Sequence, residues 1–287
     1  MALIFLIFLL GAIIMSVITA WCHHKRGNGI SIIIPLRCDD KNSRRYKNFE
    51  WNMRYWKAQL PGAELIVGED KDLDLIFSKA AAVNEGVSRA TGDVLVIVDA
   101  DGYVESSAVL TCARRIRNAR RRGHRLWFIP YRRFYRLTDL ASQRVLDSES
   151  LNPWHFSVPP DPNDIQNVSG SHHGHWFGAM IQIWPREAFD EVGGWDERFR
   201  GWGGEDHSAM RACDTLYWPH KTLPGQVLHL WHPMLSSTGT DSWVHWNRRI
   251  WDKQTDSGAN DELNSRYYGA NGDRVRMRKL VDEGRKK

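Results

Sequence analysis

Five consecutive apolar residues, Val94-Leu95-Val96-Ile97-Val98, run straight into Asp99-Ala100-Asp101. A short, unbroken apolar run predicts a strand buried on both faces, which demands helices above and below it. The flanking sequence supplies them. Residues 30–34 (Ile-Ser-Ile-Ile-Ile) read as a first strand, stopped by Pro35. Residues 42–60 carry helical periodicity through Phe49, Met53 and Trp56 and stop at Pro61-Gly62. Residues 64–67 read as a second strand, and the alanine-rich residues 78–90 as a second helix ending before Thr91-Gly92. This β-α-β-α-β order predicts an α/β fold: a mixed, mostly parallel sheet flanked by helices, Rossmann-like in layout.

Farther along, residues 126–130, 179–184 and 226–231 read as strands and residues 205–214 as a helix. Between residues 148 and 175 lie Pro153, Pro159, Pro160 and Pro162 among Asn, Asp, Ser and Gly, which predicts a long loop of the kind that covers active sites. At 287 residues the chain suits one sizeable domain with appendages. We divide it into residues 25–256, with 25–135 as a nucleotide-binding half and 136–256 as an acceptor half. Residues 257–287 read as a polar tail, helical near 275–281.

The apolar run ends where strands of open α/β sheets face the ligand crevice. Carboxylates there can hold a hard divalent cation, which in turn holds phosphates. Asp101 is the preferred direct ligand, with Asp99 reaching a ribose, or the metal through water. A second acid pair follows a hundred residues later. Gly193-Gly194-Trp195-Asp196-Glu197 and Gly201-Trp202-Gly203-Gly204-Glu205-Asp206 combine glycines, which admit close backbone approach, with acids at a helix start. Capping alone would account for the acids but not for the glycine spacing, and the pair is a good source of a catalytic base. His229 and His232 flank Leu230-Trp231, and His229 is the candidate imidazole ligand. His172, His173 and His175 lack the cysteines or helical spacing of a zinc site and read as part of a mobile acceptor-side loop. Metal, nucleotide and base together point to transfer of a group from an activated donor.

The net charge of +5 is local in origin: seven arginines fall between Arg114 and Arg125. Val109, Ala113 and Ile116 mark the buried stripe of a helix, leaving Arg114, Arg117 and Arg121 on another face. That face is either simply solvated or attracted to anionic headgroups or a polyanionic substrate. No recognisable nucleic-acid motif accompanies it. Fourteen tryptophans, ten of them from Trp154 onward, suit sugar rings as well as a core. Cys22, Cys38, Cys112 and Cys213 are scattered, forming neither a zinc pattern nor a disulfide framework.

Residues 2–21 contain no charged side chain and are long enough to cross a bilayer as a helix. No basic residue precedes them, whereas Lys25, Arg26, Arg37, Lys41, Arg44, Arg45 and Lys47 follow. The reading is a single-pass anchor (residues 1–24) with the globular domain cytoplasmic; a Golgi-type, lumenal arrangement is the alternative.

On these residues the chain resembles nucleotide-sugar glycosyltransferases of the GT-A fold. The glycine–acid segment is similar to the galactosyltransferase region shared by β-1,4-galactosyltransferases, polypeptide N-acetylgalactosaminyltransferases and bacterial chondroitin-type polymerases. Ile76-Phe77-Ser78-Lys79-Ala80 with Asn84-Glu85-Gly86 is similar to that family's Phe-Asn-Arg-Ala…Asn-x-Gly element, and Pro35-Leu36-Arg37 to its Pro-Phe-Arg turn. The resemblance implies that Pro35, Arg37, Phe77 and Lys79 line the nucleotide pocket, with Asp99, Gly203 and Gly204 also on the donor side. It implies that Asp101 and His229, aided by Asp99, bind Mn²⁺ or Mg²⁺, that Trp202 packs on sugar, and that Asp206 is the base with Glu205 beside it. This chain departs from the family in having Ser78-Lys79 for Asn-Arg, His207 for a further acid, and Leu228-His229-Leu230-Trp231-His232 for the methionine-containing metal segment.

The function expected is metal-dependent transfer of a hexose from a UDP-sugar to a carbohydrate or glycoconjugate acceptor. In-line attack with Asp206 as base implies inversion, although the resemblance also spans retaining enzymes. A haloacid-dehalogenase-type phosphatase would want Thr or Ser where Tyr103 stands. A non-catalytic, membrane-anchored sugar-binding protein of the same fold is the remaining alternative.

Overall fold

The computed structural model describes residues 29–38, 40–151, 160–170, 180–201, 203–233 and 257–285. Along the chain run β1 (Ile30–Pro35), α1 (Arg44–Gln59), β2 (Glu64–Gly68), α2 (Lys79–Arg89), β3 (Val94–Val98), β4 (Gly102–Val104) and α3 (Ser106–Arg121). Then follow β5 (Phe128–Ile129), β6 (Arg133–Leu137), α4 (Asp139–Asp147), β7 (Ile165–Gly170), β8 (Ile181–Pro185) and α5 (Arg186–Val192). The last elements are α6 (Glu205–Leu216), β9 (Lys221–Thr222), β10 (Gln226–His229), α7 (Ser257–Ala270) and α8 (Arg274–Gly284).

A six-stranded sheet in the order β2-β1-β3-β8-β5-β9 forms the floor. It is mixed: β1 pairs in parallel with β2 and β3, and β5 with β9, while β8 runs antiparallel to β3 and β5. Every residue of β1, β3 and β8 is buried, the two polar ones, Ser31 and Gln182, being satisfied by Glu64 and by the Asp206 carbonyl. Ser43 and Ser78 cap α1 and α2 by accepting from the amides of Tyr46 and Ala81. Gly86 lets α2 lie directly on the sheet: a Cβ there would stand 2.7 Å from Ile33 Cγ2.

A second sheet, β4-β10-β6-β7, stands beside the first, with β10 antiparallel to β4 and parallel to β6. Its strands escape the apolar-run criterion. β6 (Arg-Phe-Tyr-Arg-Leu) buries Phe134, Tyr135 and Leu137 but keeps its arginines, and β4 is only three residues long. The long loop expected over residues 148–175 is corrected here. After a 3₁₀ turn at Pro162–Asp164, β7 pairs antiparallel with β6. His172, His173, His175 and Trp202 lie outside the described residues, as does the apolar segment 2–21. No helix among the described residues is long and apolar enough to cross a membrane.

Residues 257–284 form two helices, α7 and α8, which pack against α6. In α3 the buried stripe is Val109, Cys112, Ala113 and Ile116. Arg117, expected on the outer face, instead turns inward to Asp93 at 2.7 Å. Cys38, Cys112 and Cys213 are free thiols.

Candidate active site

At the end of β3 the chain turns through Asp99 to Gly102, whose amide donates to the Asp99 carbonyl at 3.1 Å. The turn is held from two sides. The Asp99 amide donates to the Met180 carbonyl at 2.9 Å, and Asn52, fully buried on α1, donates from Nδ2 to the Gly102 carbonyl at 2.7 Å. Because β10 pairs antiparallel with β4, His229 stands opposite Gly102. The chain then bends out of the strand. The Leu230 amide donates to the Asp101 carbonyl at 2.8 Å, the Trp231 amide to Ser142 Oγ at 2.7 Å, and Asn48 Nδ2 to the Trp231 carbonyl at 3.0 Å.

This bend brings His232 back to Asp101, with Nε2 at 3.1 Å from Oδ2, while His229 Nε2 lies 3.8 Å from Oδ1. One ligand atom from each of Asp101, His229 and His232 falls within 4.8 Å of the others, a candidate metal centre. Burial drives the His229 imidazole down to about 3 against the pull of Asp101, so it is neutral and able to ligate. Burial would raise the Asp101 carboxyl, but the adjacent His229 and His232 ring nitrogens, with Arg45 behind them, hold it below the usual carboxylate range. Arg136, in register with His229 on β6, is a further cation whose charge is felt at that imidazole.

Asp99 does not join these ligands. Its Oδ1 accepts from Lys79 Nζ at 2.6 Å, and the same ammonium lies 3.5 Å from Glu205 Oε1 and 3.9 Å from Asp206 Oδ2. Lys79, expected to face the nucleotide, is therefore the shared counter-charge of three carboxylates, and its Nζ lies 5.7 Å from the centre of the Trp195 ring. Burial works against its charge, but Asp99, Glu205 and Asp206 more than restore it. Asp99 is raised to about 6, first by burial and with help from Asp101 and Asp206, Lys79 opposing.

The two adjacent acids diverge. Burial, then the neighbouring Asp206 charge, lifts Glu205 to about 7, partly offset by Lys79. Asp206 is equally buried, but His207, Lys79 and the His207 amide, which donates to Oδ1 at 2.7 Å, hold it below the usual carboxylate range. Both acids sit in the first turn of α6, where helix N-terminal amides favour negative charge. Gly204, the residue before them, has φ +93°, and a Cβ there would press on Asn264 Cβ at 3.1 Å. A buried relay fixes the turn to β8: Trp184 Nε1 donates to Gln182 Oε1 at 2.8 Å, and Gln182 Nε2 to the Asp206 carbonyl at 3.0 Å.

Backbone links join this segment to the start of α2. The Gly201 amide donates to the Phe77 carbonyl at 2.8 Å, and Ser78 Oγ to the Phe199 carbonyl at 2.8 Å. Asn84 receives the Trp195 amide at 2.9 Å and donates to its carbonyl at 2.8 Å. Pro35, Arg37 and Phe77 gather at the C-terminal edge of β1 and β2. There Arg37 donates to the carbonyls of Leu75 and Asp72, pairs with the buried Asp70 at 3.0 Å and lies 5.5 Å from the centre of the Phe77 ring. The structure thus brings Asp99, Asp101, His229, Lys79, Glu205 and Asp206 to one end of the sheet. Trp202 lies outside the described residues. Sequence reasoning noted His232 beside His229 without assigning it to the metal, and Asn48, Asn52, Asp70 and Ser142 escaped it altogether.

Residues 77–180 match the glycosyl transferase family 2 profile, and residues 170–212 match the N-terminal domain of galactosyltransferase. No curated protein sequence matches the chain. Among solved structures it is similar to the catalytic domain of Drosophila β1,4-galactosyltransferase 7 in complex with xylobiose, at 14% identity and TM-score 0.38, over 79% of this chain and 80% of that one. It is also similar to S. aureus TarS 1-349 in complex with UDP-GlcNAc, at 11% identity and TM-score 0.40, over 89% and 87%. A third is GalNAc-T7 with UDP, GalNAc and Mn²⁺, at 13% identity and TM-score 0.38, over 89% of this chain and 55% of that one. Carrying family 2 sequence across the strand of Asp99 and Asp101, and galactosyltransferase sequence through its glycine–acid segment, the chain is a glycosyltransferase.

Proposed function

We propose that the enzyme moves a hexose, of galactose or N-acetylhexosamine type, from a UDP-sugar to a hydroxyl of a carbohydrate or glycoconjugate acceptor, with inversion. The observation that carries this reading is the split between the adjacent acids. Asp206 is held below the usual carboxylate range while Glu205 is raised to about 7, beside one buried ammonium. A general base must be ionised before it can accept a proton, and the pair separates the two roles. Asp206 Oδ1 is occupied by the His207 amide, leaving Oδ2 to take the acceptor proton. Glu205 in its protonated form donates a hydrogen bond to a sugar oxygen.

One carboxylate and two imidazoles suit Mn²⁺ better than Mg²⁺, which prefers oxygen donors alone. When bound, the ion supplies Lewis-acid stabilisation of the departing diphosphate. Pro35 and Phe77 line the nucleotide side, with Arg37 bracing the segment behind Phe77. Gly204 packs against Asn264 and Phe199, which fixes the start of α6 on the donor side of the site. Asp206→Asn keeps size and hydrogen bonding but removes basicity. Turnover should fall on the order of 10²–10⁴-fold while the donor dissociation constant, measured by calorimetry with Mn²⁺, stays near the wild-type value. Near-normal transfer by this variant would overturn the assignment.

A further inference from the structure

The arginines of α3 separate into two groups. Arg117 and Arg120 pair with Asp93 at 2.7 Å each, and Arg125, just beyond the helix, pairs with Glu191 at 2.9 Å. These use the nearby acids. Arg114, Arg115, Arg121 and Arg122 are exposed on the side opposite the buried stripe, and among the described residues no ion pair reaches them. The helix itself contains no acidic residue. Two apolar side chains accompany the charge: Leu110 on the same outer face is 44% exposed, and Trp218 is 51% exposed in a hollow shared with Gly123, Arg125 and Lys221. Cationic side chains interspersed with an exposed Trp and Leu are the chemistry of a membrane–water interface.

The position of the face in the fold supplies a second, independent argument. The described chain enters at Gly29, whose carbonyl accepts from the Val94 amide at 3.0 Å. A Cβ on Gly29 would lie 2.6 Å from both the Arg117 guanidinium and the Asp93 carboxylate. The chain entry, the C-terminal half of α3 and the N-terminal edges of β1 and β3 therefore form one pole of the molecule. The uncharged residues 2–21 end eight positions before Gly29, a reach of about 26 Å even when fully extended. Asp99 and Asp101 lie at the other end of β3, a five-residue strand spanning about 16 Å.

We propose that the outward face of α3 docks on an anionic lipid surface, with the active site at the pole turned away from the bilayer. The occupant follows from charge complementarity and from the uncharged residues 2–21, which precede in sequence the chain entry at that pole. The docking does not depend on which sugar is transferred.

The test is arginine footprinting of the full chain reconstituted into lipid nanodiscs. The discs hold phosphatidylcholine alone or mixed with phosphatidylglycerol, and p-hydroxyphenylglyoxal labelling is read by mass spectrometry. Neutral discs control for mere tethering. Labelling of Arg114, Arg115, Arg121 and Arg122 should fall about fivefold in anionic discs, the worth of one cation near such a surface. High salt should abolish the protection. Arg144, on the far side at α4, should label equally in both discs. Equal labelling of the four arginines in both lipids would overturn the proposal, as would failure of the chain to co-elute with discs of either kind. Protection by a soluble sulfated glycan, with none from anionic discs, would overturn it in favour of a polyanionic acceptor.

Discussion

Three carboxylates share one ammonium at the centre of the site, and burial makes each charge depend on the others. Sharing Lys79 leaves the acids one positive charge between them, so the most weakly held carboxylate keeps its proton near neutrality. That carboxylate is Glu205, whose Oε2 is buried and finds no hydrogen-bond partner among the described residues. The consequence for stability has a definite sign. The folded state holds the Glu205 proton up to about pH 7, whereas an ordinary glutamate loses it near 4.5. The folded state therefore binds more protons across that window, and stability drains away as pH rises through it. Glu205→Gln removes the cost of ionisation and keeps the shape. The variant should differ little from wild type near pH 4.5 and gain on the order of 1–3 kcal/mol by pH 8, read from denaturant midpoints. A gain that is largest at low pH would contradict this account of Glu205.

At the scale of elements, the site is made by two strand ends and one helix start, and the strand ends are held by asparagines. Asn52 spends its side-chain amide on the Gly102 and Asp99 carbonyls, locking the turn that aims Asp101. Asn52→Leu keeps the volume but strips both donors from buried carbonyls, a loss of about 1–3 kcal/mol in stability. Mn²⁺ affinity should weaken along with it, whereas a role confined to packing would leave the Mn²⁺ dissociation constant unchanged. Sequence reasoning reached the strand before these acids because five apolar residues can lie only in a two-faced core. It reached α1 through the periodicity of Phe49, Met53 and Trp56 and the Pro61-Gly62 stop, and α2 through its alanines and the Thr91-Gly92 turn. It missed β6 and β7, whose arginine and asparagine side chains hide a one-faced sheet, and it did not assign His232 to the metal. In a straight strand, residues three apart point to opposite faces. β10 stops at His229, and the bend that returns His232 to Asp101 is set by Ser142 and Asn48, residues 90 and more positions away. Buried asparagines and serines carry no local pattern, so these contacts appear only in the fold.

Across the whole molecule, the C-terminal helices read as a polar tail turn out to clamp the glycine–acid segment. Asn260 of α7 donates to the Arg200 carbonyl at 2.8 Å and accepts from its amide at 3.3 Å, closing a two-bond bridge onto the residue before Gly201. Arg200 in turn reaches Asp70 at 3.3 Å, the same buried carboxylate that holds Arg37 and the Ser78 amide. A change at Asn260 should therefore be felt on the nucleotide side and in the glycine segment together. Asn260→Ala leaves two backbone groups without partners, costing about 1–3 kcal/mol. The loss should fall on kcat more than on global order, because the freed segment carries Glu205 and Asp206. Arg266→Ala supplies the comparison: it removes an exposed ion pair to Glu283 on the outside of the same two helices. An exposed pair is worth on the order of 0–1 kcal/mol, so that variant should keep near-normal turnover. If both substitutions lower kcat equally, or if Asn260→Ala lowers only the melting temperature, the helices serve stability alone and do not position the base.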